Sequence, residues 1–301
     1  MRKFIPVSAA LPELTGRVTT CQQGIDALGW AAGATVGCLG VSVGLRGQTR
    51  EALDTLISWL PRAFGPARTR KVPVVYSLIV GGSEPGTRIK RFHILYRNFT
   101  QVARSLDLDV IERAFGRDLA LSIGERAPRR VLVHAGVVAI GGGAVLIPGK
   151  SLSGKTTLTR ALVEEGGGLY YSDEFAVIDP RGRVSPWAEP LNIRAAGSTR
   201  RGVPHSAASL GLKSGRGSLP VRLVVMTDYR KGQSFTPRLT ARAEGALGLL
   251  EHTLPARRRP RAALRALTSA VARAQIIRGS RGEARAAARA ILKYLAEPQG
   301  D

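Results

Sequence analysis

Gly149-Lys-Ser-Leu-Ser-Gly154-Lys155-Thr156 matches the spacing G-x-x-x-x-G-K-[S/T], a pattern whose residue types suit a polyphosphate. The glycines let the backbone curl until successive amide N–H groups face one anion, and a helix starting at the lysine adds partial positive charge at the same point. Gly149, Lys150, Ser151, Leu152, Ser153, Gly154, Lys155, Thr156 and Thr157 are therefore the candidate nucleotide-binding residues. Lys155 would lie on the β- and γ-phosphates of ATP, and the Thr156 hydroxyl would ligate Mg²⁺. A second register through Gly149-Lys150-Ser151 fails, because position 144 is Ala.

A loop of this kind needs a carboxylate nearby, to hold the metal or to take a proton from the acceptor. Asp173-Glu174 follows the strand-like run Leu169-Tyr-Tyr-Ser172, 17 residues beyond Thr156, so one helix and a short return would bring it back beside the loop. Asp228 closes the more apolar run Val221 to Thr227 and competes for the same role.

The elements that must position these residues are legible around them. Val131 to Ile140, the glycine turn 141–143 and Ala144 to Ile147 read as strand, tight turn, strand, and Thr157 to Glu165 as a helix. Further strands are predicted at Leu169 to Ser172, Phe175 to Ile178, Val184 to Trp187 and Val221 to Thr227. From Leu239 onward the Ala-, Leu- and Arg-rich sequence reads as helical, interrupted by Pro255 and Pro260, with Arg257 to Arg259 a solvated connector.

Earlier in the chain, Val36 to Leu45 reads as a glycine-spaced strand and Thr49 to Leu60 as a helix stopped by Pro61. Val72 to Val80 and Arg91 to Tyr96 read as a strand pair around Gly81 to Gly86. Val102, Leu106, Val110, Ile111 and Phe115 form the apolar face of one long or two short helices over 98–120. The expected class is mixed α/β, with an α+β N-terminal domain over 1–125 and a second domain over 126–301 that ends in helices.

The chain has 301 residues, 44% hydrophobic, and carries a net charge of +23 from 45 Lys plus Arg against 22 Asp plus Glu. Only eight of those cations are lysines. This charge favours phosphates, nucleic acid or an acidic partner. The arginines are nevertheless scattered through Ala- and Gly-rich sequence, as codon bias would scatter them, and they form no basic tail. Cys21 and Cys38 make neither a disulfide framework nor a zinc site, so a reducing, cytoplasmic setting is expected. Pro6, Pro12 and Glu13 spoil a signal peptide, and five glycines in the uncharged stretch Ala27 to Leu45 argue for a strand rather than a membrane span.

The segments His134-Ala-Gly-Val-Val, Val145-Leu-Ile-Pro-Gly-Lys-Ser-Leu-Ser-Gly-Lys-Thr-Thr157 and Tyr171-Ser-Asp-Glu-Phe-Ala-Val-Ile178 together resemble the catalytic domain of HPr kinase/phosphorylase. They look most like the HPr-kinase-related proteins of bacteria, in which a P-loop kinase domain follows a different N-terminal domain. The resemblance covers about residues 131 to 194. It implies phosphoryl transfer from ATP, with Mg²⁺, to a serine or threonine of a protein or peptide. Carried over, Asp173 is the base, Glu174 a magnesium or phosphate-side carboxylate, and His134 the neighbour that orients Asp173.

Glu174 stands where the family has a second Asp, and the family's later Arg-Gly signature is replaced by Glu189-Pro-Leu-Asn-Ile-Arg194, which leaves Arg194 as the candidate transition-state cation. The family is hexameric, so a homo-oligomer is open. A small-metabolite kinase and a non-catalytic nucleotide-binding regulatory protein remain alternatives. A nucleic-acid motor is disfavoured, because no second motor signature accompanies the loop.

Overall fold

The computed structural model describes residues 13–14, 20–61, 63–67, 69–82, 91–150, 153–187, 191–193, 203–254 and 256–296. The chain is mixed α/β, with seven α-helices among the described residues, and divides into two compact units, 1–128 and 129–301.

The first unit holds β1 (Ala32–Cys38), β2 (Val41–Gly47), α1 (Arg50–Ser58), β3 (Val75–Ile79), β4 (His93–Arg97), β5 (Thr100–Ser105) and α2 (Leu108–Arg126). The strands lie side by side in chain order, antiparallel except for the parallel β2–β3 pair that α1 connects. The Thr49 hydroxyl caps α1 by accepting from the Ala52 amide, and Ala52, Leu53 and Leu56 are its buried face.

Two expectations fail in this unit. Val36 to Leu45 is a hairpin rather than one strand: Leu39 (φ 50°) and Gly40 (φ 80°) form a two-residue turn with Cys38 opposite Val41. Residues 98–106 are not helical, because Asn98 (φ 55°) turns the chain and β5 pairs back on β4, which leaves Val102 on a strand and Leu106 in the linker. The helix begins only after Asp107, whose carboxylate accepts from the Asp109 amide. Residues 83–86 of the predicted glycine turn lie outside the described residues.

The second unit runs β6 (Val131–Ile140), β7 (Gly143–Pro148), α3 (Lys155–Gly166), β8 (Leu169–Ser172), β9 (Phe175–Ile178), β10 (Arg183–Ser185), β11 (Leu219–Tyr229), α4 (Arg242–Leu250), α5 (Pro260–Val271), β12 (Gln275–Arg281) and α6 (Ala284–Ala296). Gly141 and Gly142, at φ 56° and 75°, make the turn that folds β7 back on β6. Strand pairings run β7–β6–β9–β10–β11 and close again through β11–β7. β7, β11 and β12 are parallel neighbours, so the segments leaving their carboxyl ends share one edge of the sheet, where α/β proteins place ligands.

Helices cover both faces. Leu158 and Leu162 of α3 pack with Ala287 and Ile291 of α6 against Val145 and Leu223, while Leu249, Ala263 and Leu267 of α4 and α5 pack against Val133 and Val137. The C-terminal part is therefore not all helix. β12 interrupts it, held by β11, and Pro260 opens α5 at its first turn rather than breaking a helix.

Candidate active site

β7 ends at Pro148, and the chain turns through Gly149 into α3 at Lys155; Ser151 and Leu152 lie outside the described residues. Gly154 sits at φ +80°, a conformation that costs an L-residue with a side chain about 1–2 kcal/mol. The amides of Lys155, Thr156 and Thr157 belong to the first helical turn, which the helix itself leaves without acceptors; the Leu158 amide already reaches the Gly154 carbonyl.

Lys155 is only 6% exposed, and its Nζ donates to the carbonyls of Gly149 at 2.9 Å and Lys150 at 2.8 Å. Among the described residues no carboxylate lies within 4.0 Å of it. Burial pushes its pKa down, while Glu174 and Asp173 pull it back up. Among the described residues, its hydrogen bonds go to neutral carbonyls, so its charge stays open to an anion.

Asp173 is 7% exposed, and α3 with its short return brings it to the loop. Thr156 Oγ1 donates to its Oδ2 at 2.9 Å, and the buried Tyr170 hydroxyl donates to its Oδ1 at 3.0 Å. Burial raises the Asp173 pKa, and these two hydrogen bonds oppose the rise. The turn carrying Asp173-Glu174 is tied by the Ser172 hydroxyl, which accepts from the amides of Glu174 at 3.1 Å and Phe175 at 2.9 Å.

Among the described residues, His134 makes no hydrogen bond to Asp173. Its Nε2 lies 3.8 Å from Glu174 Oε1, and Thr156 and Tyr170 orient Asp173 instead. The reason is register: His134 sits opposite Phe175 on β9, and the Ala135 amide donates to the Glu174 carbonyl. Burial, then Lys155 and His252, push the His134 pKa down to about 4, so at neutral pH this contact joins a carboxylate to a neutral imidazole. The His134 backbone also links the site's edges, its carbonyl accepting from the Gly149 amide and its amide donating to the His252 carbonyl.

Asp228, the competing carboxylate, closes β11 on the same sheet edge and acts on Arg281 rather than on Lys155 or Thr156. At the end of β11 its side chain is 61% exposed, paired with Arg230 at 2.9 Å and accepting from the Ser280 hydroxyl. Glu189 and Arg194 lie outside the described residues. The residues the sequence analysis did not single out are Tyr170, His252 and Arg281. Tyr170 is legible as the position three before Asp173; Arg281 is not, because its stretch reads as helix in the sequence.

Thr156, Asp173 and Glu174 offer one hydroxyl and two carboxylates. This oxygen set suits a magnesium ion that arrives on nucleotide phosphates, which supply the rest of its shell. The Thr156 hydroxyl spends its proton on Asp173 and keeps lone pairs for a metal.

No protein-family model matches the chain, and no curated protein matches it. Among solved structures, the Hpr(Ser) kinase/phosphatase from Coxiella burnetii aligns with 55% of this chain and 93% of its own, at 14% identity and a TM-score of 0.33. It is a distant neighbour at most, and an overlap this loose carries no assignment of fold or activity.

Proposed function

We propose that the second unit is an ATP-dependent phosphotransferase whose acceptor is a serine or threonine hydroxyl of a protein or peptide. The observation that carries this reading is the 2.9 Å hydrogen bond from Thr156 Oγ1 to Asp173 Oδ2, which joins a buried carboxylate to the first turn of the helix behind the glycine loop. The motif spacing and the sequence resemblance support the choice of nucleotide and acceptor.

In this reading the amides of the first turn of α3 and the Lys155 ammonium bind the polyphosphate. Thr156 and Glu174 would hold Mg²⁺, which would supply positive charge against the phosphates. Asp173 accepts the acceptor proton as the hydroxyl oxygen attacks the γ-phosphorus and the bond to the β-phosphate oxygen breaks, releasing ADP. Its burial raises its basicity while Tyr170 fixes its orientation, and a carboxylate of raised pKa is a better base at neutral pH. His134, neutral, lies 3.8 Å from Glu174 and, through its carbonyl, against the Gly149 amide of the loop.

Incubating the protein with γ-labelled ATP, Mg²⁺ and a lysate of its own cells tests the assignment. The expected product is acid-stable label on serine or threonine of a protein. Label on a small metabolite would move the acceptor class, and ATP binding with no labelled product would favour the regulatory alternative.

A further inference from the structure

Arg281 closes β12, two strands from the loop, yet its side chain reaches back to it. It is 2% exposed. Its Nη2 donates to the carbonyls of Ser153 at 3.2 Å and Gly154 at 3.0 Å, and its Nη1 donates to Gly282 at 3.1 Å. Its Nε is buried with no acceptor among the described residues. A Cβ on Gly154 would come within 2.6 Å of Nη2, so the glycine and the guanidinium are fitted to each other.

Burying a guanidinium with one N–H unpaired is costly, and an apolar side chain would fill the same volume at lower cost. The hydrogen bonds suggest what the charge is for. In a trans peptide the C=O and the N–H point in opposite directions. Tying the Ser153 and Gly154 oxygens to Arg281 therefore turns the N–H groups of the same two peptides, those of Gly154 and Lys155, away from the guanidinium.

We propose that Arg281 is a positioning residue for the nucleotide: it pins two loop carbonyls so that the Gly154 and Lys155 amides face the phosphates, and it adds fixed positive charge behind them. This rests on the phosphate-binding reading of the loop. Arg281 touches the loop and not the nucleotide, so its effect falls on affinity rather than on the chemical step.

Calorimetry of MgATP and of inorganic tripolyphosphate tests it with wild type, Lys155→Ala, Arg281→Met, Arg281→Lys and, as a control, Arg222→Met, which loses a guanidinium bonded to the Leu295 carbonyl instead. Arg281→Met should weaken both ligands about 10- to 100-fold, the usual scale for charged hydrogen bonds. Arg281→Lys should fall between, because an ammonium lacks the planar guanidinium that holds the two loop carbonyls through Nη2 and Gly282 through Nη1 at once. Arg222→Met should bind like wild type, and kcat at saturating ATP should fall far less than affinity in Arg281→Lys.

A folded Arg281→Met with wild-type affinity, while Lys155→Ala binds weakly, would overturn the proposal and leave the loop reading intact. Wild-type protein that binds neither ligand would overturn the loop reading and the proposal with it. If Arg281→Met does not fold, Arg281→Lys decides by the same comparison; failure of both to fold would make Arg281 structural and the proposal wrong.

Discussion

Thr156 and Asp173, 17 residues apart in the chain, meet through a 2.9 Å hydrogen bond at the start of α3. The intervening helix and β8 are the length needed for the chain to leave the loop, cross the sheet face and return. Asp173 reaches the loop because α3 packs its Leu158 and Leu162 face on the sheet and Ser172 ties the return turn.

Lys155→Ala removes the buried ammonium but no apolar contact of the core. ATP affinity should fall at least about tenfold, the scale of lost charge-assisted bonds, with the fold intact. Equal affinities by calorimetry would contradict the loop assignment.

Gly154→Ala places a methyl in a left-handed conformation and against Arg281 Nη2. It should cost about 1–2 kcal/mol from the backbone alone, lowering the thermal midpoint by several degrees, and should weaken ATP binding. An unchanged midpoint would show that the loop relaxes freely.

His134 supplies a pH dependence of stability. Its pKa is about 4 in the fold against an ordinary value of 6.5, so below the ordinary value the unfolded chain takes up a proton that the folded chain refuses. Its contribution is complete above the ordinary value and is lost as pH falls towards the folded one. The thermal midpoint of wild type should therefore drop more between about pH 7 and about pH 5 than that of His134→Gln. Parallel curves would place His134 in a water-like setting.

The charge of +23 makes a separate prediction. An acidic acceptor gains encounter rate from a basic surface, and the gain fades as the Debye length shrinks from about 10 Å at 0.1 M salt to about 3 Å at 1 M. The acceptor KM should rise with salt while kcat changes little. Arginines scattered by codon bias alone would give a KM indifferent to salt.

Much of the second unit is legible in the sequence, and the rest is hidden for physical reasons. Val131 to Ile140 and Leu169 to Ser172 read as strands because β-branched or aromatic residues run up to, or out of, a glycine turn, and the loop reads from its own spacing. β12 is hidden because Gln275-Ile-Ile-Arg offers only two apolar residues inside an Ala- and Arg-rich stretch, and its strand state is imposed by pairing with β11. Arg281 is hidden with it. The turn at Leu39-Gly40 escapes notice because leucine seldom takes positive φ. The approach of His134 to Glu174 depends on β6–β9 register, which residue types alone do not specify.

The transfer rate of Asp173→Asn against that of Asp228→Asn, with ATP affinity measured on both, tests the central claim most directly. Asparagine keeps the shape and one of the two acceptor oxygens but cannot take a proton, so Asp173→Asn should lose about 10²- to 10⁴-fold in rate while still binding ATP. Asp228→Asn, exposed and paired with Arg230, should stay close to wild type. The opposite ranking, or an Asp173→Asn variant as active as wild type, would contradict the account.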